Sequence, residues 1–349
     1  MSQRVFGAAG LVLWLSAAPA LAADAVADRP LAQDGASTVQ ANSGSEHRGR
    51  ERADGGEGQG PREAVDAKNL FGFTLGSDIL RQGRMEVEGE GVGRIGRRTS
   101  RYEAGEPSLR FQYGVTNNFS VAGALFGDYH SVLPFGGAAG LNAGADRLGG
   151  GGGGAATGEV ITPVPSRMRF NGGDIRLRFG LLDRQTSPFG LTIQIQPSRR
   201  LYADDTGMAA ESYLSEHRLI LDAQITQNLF VAANLVHQID ATRPRGERTF
   251  DEASTLGATF AATNQVAPGL FLGGELQYLR AYAGLGLDRF LGEAVYVGPT
   301  LFAKLPREAF LTLSYNIQIA GRERDNPAAR RDLTNFERHR FLIRTGVEF

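Results

Sequence analysis

The stretch RHRFLIRTGVEF, residues 338–349, alternates with a period of two. Phe341, Ile343, Thr345, Val347 and Phe349 fall on one face, and Arg340, Leu342, Arg344, Gly346 and Glu348 on the other. This is a strand with an apolar or neutral side opposite a side that carries three charges. A strand buried between a soluble core and a helix layer would not tolerate those charges. Lipid outside and a watery lumen inside require that division. The chain also stops on an outward aromatic residue, Phe349.

From Gln82 onward the chain parses into twelve such strands, at about 82–94, 106–116, 118–131, 171–182, 188–200 and 213–226, then 228–240, 252–264, 269–281, 292–304, 308–320 and the terminal stretch. In the second, Leu109, Phe111, Tyr113 and Val115 oppose Arg110 and Gln112; in the eleventh, Leu311, Leu313, Tyr315, Ile317 and Ile319 oppose Thr312, Ser314, Asn316 and Gln318. In the tenth, Val295, Val297, Leu301 and Ala303 face outward, and Glu293, Thr300 and Lys304 are assigned to the other face with Tyr296 and Phe302. Tight connections at 116–118, 183–187, 226–228, 264–268 and 305–307 carry the Asn, Asp, Pro and Gly of turns. They alternate with longer polar ones, roughly 95–105, 132–170, 201–212, 241–251, 282–291 and 321–337. A soluble antiparallel sandwich explains alternation within single strands but not this short-long rhythm. The expected fold is therefore all-β: a transmembrane antiparallel up-and-down β-barrel of an even number of strands. Both chain ends and the short turns are expected on the periplasmic side of an outer membrane, and the long loops outside.

Composition bounds the function. The chain has 349 residues, 47 of them Gly and none Cys, with a formal net charge of -1 that becomes -2 without Arg4. Neither value suggests a nucleic-acid partner, and the lack of Cys excludes disulfides and thiolate chemistry. Residues 1–22 have the form of a secretory leader, with Arg4, an apolar run from Val5 to Leu15 and Ala20-Leu21-Ala22 before the cleavage point. Residues 23–68 hold almost no large apolar side chains and read as a disordered periplasmic lead-in. Residues 69–81, NLFGFTLGSDILR, are more apolar and admit three readings: an extra strand, a plug within the lumen, or a clasp at its periplasmic mouth. Residues 82–349 form the barrel.

The side chains placed on the lumen face are Glu86, Glu88, Glu90, Arg110, Asp174, Arg176, Arg178, Arg218, Asp222, Glu275, Arg340, Arg344 and Glu348. The first and last strands must be neighbours in a closed barrel, so the Glu86–Glu90 ladder is expected to face Arg340 and Arg344. Fully paired, these charges would fill a rigid and closed barrel. Left unpaired, they would set up a transverse field along a passage for small solutes. The Gly-rich loop 136–158 lacks the Lys-Ser/Thr ending of a phosphate cradle and reads as an external loop, or as one that folds inward and constricts the lumen.

No catalytic constellation emerges, and no cofactor or metal is called for. GxSxG is absent, and the five His residues show no metal-ligand spacing. His130 and His217, with Asp128 and Glu216 nearby, are placed near the outer rim, where a minor hydrolase alternative would have to build its site. Phe71, Tyr129, Tyr202, Tyr213, Phe250, Tyr282, Phe290, Phe310, Phe336 and Phe349 fit aromatic girdles at the lipid interfaces. The expected partners are outer-membrane lipid and lipopolysaccharide, the barrel-assembly machinery, and small solutes.

Three segments carry a resemblance: NLFGFTLGSDILRQGRMEVEGEG (69–91), SLRFQYGVTNNFSVAG (108–123) and FLIRTGVEF (341–349). Over about 69–349 the chain resembles uncharacterised Gram-negative outer-membrane barrels, themselves distantly similar to the transporter-like barrels of aromatic-degradation clusters. The resemblance implies a lipid-exposed barrel with a transport role and brings no substrate or catalytic residue with it.

Overall fold

Period-two alternation becomes a closed wall in the computed structural model, which describes residues 67–97, 100–134 and 167–349. The leader at 1–22, nearly all of the lead-in and the Gly-rich loop 136–158 lie outside the described residues. The strands are β1 (Met85–Ile95), β2 (Ser100–Thr116), β3 (Phe119–Pro134), β4 (Met168–Leu182), β5 (Gly190–Tyr202), β6 (Ala209–Gln224), β7 (Leu229–Pro244), β8 (Asp251–Ala267), β9 (Leu270–Ala283), β10 (Arg289–Leu305), β11 (Ala309–Glu323) and β12 (His339–Glu348). Each pairs antiparallel with its chain neighbours, and β1 closes on β12 with a register from Glu86↔Glu348 to Ile95↔His339. The protein is an all-β, closed antiparallel barrel, and no backbone edge is left for lipid to meet.

The two faces of the wall differ sharply. Outward side chains such as Leu125, Leu235 and Phe111 are 62%, 59% and 58% exposed. Inward ones such as Glu88, Arg110 and Asp222 are buried. An apolar outer belt of this extent is unstable in water and matches a hydrocarbon layer. Among the described residues no helix is long and apolar enough to cross a membrane; the strands do so instead. The turn between β8 and β9 is tight because Gly269 takes φ 73°, which a side chain resists.

Three expectations need correction. The connection after β1 spans only 96–99, because Ser100, Tyr102 and Ala104 continue the inward row of β2. Glu293 shares the outward side with Val295, since residues two apart point the same way, and it meets Arg280 and Arg322 there. Phe71, Phe310 and Phe336 do not join a lipid girdle but are buried; Phe71 and Phe310 share one internal cluster and Phe336 lies in another.

Candidate functional site: the occupied lumen

Residues 67–81 run inside the barrel. The wall grips them with side chains from β1, β4, β5, β6, β7, β9, β11 and β12, and a segment reached from all around a closed ring lies within it. Glu86 accepts from Lys68 Nζ at 2.6 Å. Thr312 Oγ1 donates to the Asn69 carbonyl at 2.7 Å. Glu275 takes the amides of Phe73 and Thr74 at 3.1 and 2.7 Å. Asn234 accepts the Leu75 amide at 2.8 Å and donates to the Leu75 carbonyl at 2.9 Å. Asp222 receives both the amide and the hydroxyl of Ser77 at 2.8 Å. Arg178, Arg218 and Arg344 donate to the carbonyls of Gly76, Phe73 and Gly72. These contacts satisfy a backbone that forms no strand of its own, which is what a non-helical segment at membrane depth requires.

Apolar packing secures the turn-side end. Leu70 and Phe71 sit in one cluster with Phe230, Phe271, Phe302 and Phe310. Burial of each such side chain contributes about 1.5–3 kcal/mol. The approach is close: a Cβ on Gly72 would stand 2.4 Å from Ser314 Cβ, and one on Gly190 would stand 1.9 Å from Ser77 Oγ. Beside this segment a cavity of about 700 Å³ opens among the turns, lined in part by Glu86, Phe271, Lys304 and Phe310.

A charge network lies along the β1–β4 wall and the seam. Arg110 bridges Glu88 at 3.1 Å and Asp174 at 2.9 Å. Arg344 reaches Glu90 at 2.6 Å and Glu88 at 3.9 Å. Arg176 donates to Gln196 at 2.9 Å, and Gln196 in turn donates to Asp174 at 3.0 Å. Arg340 does not join the ladder. It sits opposite Arg94 in the register, bonds Glu337 and Gln277 at 2.8 and 2.9 Å, and covers the Phe73 ring at 4.8 Å. Glu348 stays at the turn-side rim with Arg84 at 2.9 Å.

Two of the long connections fold in over the other mouth. Asp204, in 203–208, meets Arg94 at 2.5 Å and Arg200 at 3.3 Å, while its carbonyl accepts from Tyr102 and contacts His130. Burial would raise the Asp204 carboxyl, but Arg94, with Arg200 and His130, outweighs it and holds the group well below the usual range. In 324–338, Tyr296 donates to the Glu337 carbonyl at 2.5 Å, and Gln318 donates to the Asp332 carbonyl at 2.9 Å. Burial pushes the Asp332 carboxyl up to about 6, against hydrogen bonds from Asn335 and with Glu323 adding to the rise.

His130 and His217, both expected near the outer rim, lie on opposite sides of the wall. His130 faces inward beside Asp128, which also binds Arg169. His217 faces outward, 3.1 Å from Ser215 Oγ and stacked on His237. Among the described residues no carboxylate hydrogen-bonds to His217, and no group of three His, Cys, Asp or Glu is placed to hold a metal.

A family model described as a family of unknown function, DUF6662, matches residues 63–349. The chain belongs to this family. No curated protein matches it. Among solved structures, this DUF6662 barrel is similar to the KdgM porin in complex with disordered oligogalacturonate, at 10% identity over 76% of this chain and 99% of that one, TM-score 0.40. It is similar to the β domain of the Bordetella autotransporter BrkA at 12% identity over 76% and 98%, TM-score 0.43. It is also similar to the CymD monoaromatic hydrocarbon channel, at 10% identity over 77% and 88%, TM-score 0.37. These likenesses concern the barrel fold alone. The matched region of the DUF6662 chain takes in the internal segment as well as the wall. Sequence reading missed as part of the site Lys68, Asn234 and Thr312, together with Thr192, which donates to the Ser77 carbonyl at 2.6 Å, and Ser314, which donates to Glu275 at 2.9 Å. For the four wall residues the signal was their place on the polar faces of the strands, which a search for charges alone passes over; Lys68 ends the stretch read as a lead-in, 23–68, and is instead buried within the barrel against Glu86.

Proposed function

We propose that this protein is an outer-membrane barrel for the passive passage of small polar solutes, held closed at rest by its own residues 67–81. The long connections face outside and the turns face the periplasm. One observation carries the reading: the wall holds 67–81 mostly through hydrogen bonds from side chains to its backbone, such as those of Glu275, Asn234 and Asp222. Water can replace bonds of this kind, at about 1.5–3 kcal/mol each for the charged groups and about 0.5–1.5 kcal/mol for Asn234, because the polar wall stays hydrated once the segment leaves. Withdrawal of the segment leaves a hydrated lumen lined by both signs of charge. The paired centre of Glu88, Arg110 and Asp174 favours the competing reading, a closed scaffold without transport.

Planar-bilayer recording of the refolded full chain decides between them, with a Glu275→Ala, Asp222→Ala variant alongside. The passage reading expects rare openings in the intact chain and frequent ones in the variant. No conductance or solute flux from either, with heat-modifiable barrels intact, would leave only the scaffold.

A further inference from the structure

The outer wall repeats one side-chain arrangement at two places on the long-loop rim. On β5–β8, Glu211 lies between Arg199, at 3.7 Å, and Arg243, and accepts from the Tyr213 hydroxyl at 2.7 Å. Arg199 covers the Tyr213 ring at 5.8 Å and Arg243 covers Phe250 at 4.7 Å. On β9–β11, Glu293 lies between Arg280, at 3.5 Å, and Arg322, at 3.4 Å, and accepts from the Tyr278 hydroxyl at 2.7 Å. Both of these arginines cover the Phe290 ring, at 4.9 and 5.1 Å. The registers explain the recurrence: Glu211 pairs directly with Arg243, and Glu293 with both Arg280 and Arg322.

Each arrangement holds two guanidinium groups against one carboxylate, a surplus of one positive charge. Neither is buried; Arg199 and Arg322 are 63% and 57% exposed. The aromatic rings mark the boundary between hydrocarbon and headgroups, where Tyr and Phe side chains collect. An arginine laid over such a ring presents its remaining donors in the headgroup layer, and its planar fork suits a phosphate oxygen pair.

We propose that these two rim clusters bind the phosphate groups of a phosphorylated glycolipid in the leaflet that faces the long loops. The glutamates space the guanidinium forks and hold the local charge low enough for reversible binding. This inference uses only the placement of the long-loop end in the reading above and does not depend on passage through the lumen.

The test measures binding of bis-phosphorylated lipid A to the full chain in detergent, with dephosphorylated lipid A and inorganic phosphate as separate probes. Arg199→Gln with Arg243→Gln, and Arg280→Gln with Arg322→Gln, are each expected to weaken binding roughly thirtyfold. Glu211→Gln and Glu293→Gln are expected to tighten it, a direction that misfolding would not produce. Equal affinity for dephosphorylated lipid, full displacement by millimolar inorganic phosphate, or arginine variants that bind like the parent would each overturn the proposal. Conductance is expected to be unchanged in all of these variants, so failure here is separate from failure of the passage reading. Protease mapping of the long loops on intact cells checks the shared orientation, and loops cut only from the periplasmic side would end the inference.

Discussion

Ser77 gives Asp222 two hydrogen bonds, one from its amide and one from its hydroxyl, both 2.8 Å long. They join the internal segment to β6 across 145 residues of sequence. Hydrogen bonds to a charged acceptor contribute about 1.5–3 kcal/mol each. The same carboxylate faces Arg184 at 3.5 Å, and Arg184 also pairs with Asp78 of the segment at 2.6 Å. Asp222→Ala is therefore expected to loosen the segment at Ser77, while the pair of Asp78 with Arg184 still holds the next residue. Hydrogen exchange at the Ser77 amide, compared between parent and variant, measures that loosening.

A crosslink works in the opposite direction. A Cβ on Gly190 would lie 3.0 Å from Ser77 Cβ, below the ~3.5–4.5 Å range of disulfides, so the segment must shift by about half an ångström to form one; the chain has no native Cys to interfere. Ser77→Cys with Gly190→Cys is expected to lock the lumen closed when oxidised and to regain openings on reduction. Bilayer currents before and after dithiothreitol give the answer; identical traces would mean that 67–81 does not control the lumen.

Lipid and lumen faces should respond differently to charge. Leu235 is outward and 59% exposed, the seventh residue from the turn-side start of a sixteen-residue strand. Leu235→Arg should cost about 2–4 kcal/mol in urea unfolding from lipid vesicles. Thr312→Val removes one hydrogen bond to the Asn69 carbonyl and should cost about 1 kcal/mol. Equal costs would contradict the assignment of the two faces.

The two inward loops should respond to pH with opposite signs. Asp332 has a folded value of about 6, above the ordinary 3.8. Its protonated form is favoured in the docked loop, so that docking is strongest below about pH 4 and weakens as pH rises through 6. Asp204 is held low, so its contribution is present above the ordinary carboxyl range and is lost as pH falls below it. Limited proteolysis at pH 5 and 7.5 is expected to cut 324–338 faster at the higher pH, and Asp332→Asn should remove the difference.

Removal of the aromatic anchor should act on the segment without touching its polar bonds. Phe71→Ala opens a void among Phe230, Phe271, Phe302 and Phe310. The expected loss is about 3–5 kcal/mol of docking, with little change in barrel unfolding. Intrinsic protease resistance of the refolded barrel, set against cleavage within 67–81, separates the two effects.

Alternation along each strand was enough to determine the barrel, because a period of two leaves only one side for lipid and one for water. RHRFLIRTGVEF alone placed Arg344 within the wall, and antiparallel closure placed it beside the glutamates of β1, where the structure has Arg344 against Glu90. The fate of NLFGFTLGSDILR was open from sequence, since a short apolar run with two glycines suits a strand, a clasp or a plug equally. Only the tertiary structure decided it, because the partners of that backbone are side chains on strands as far apart in sequence as Asp222, Glu275 and Thr312. The same holds for the rim arginines: their spacing along the chain is unremarkable, and strand register alone brings Arg280 and Arg322 to one glutamate. Local periodicity fixes which way a side chain points, while contacts across the barrel depend on closure, and closure is a property of the whole chain.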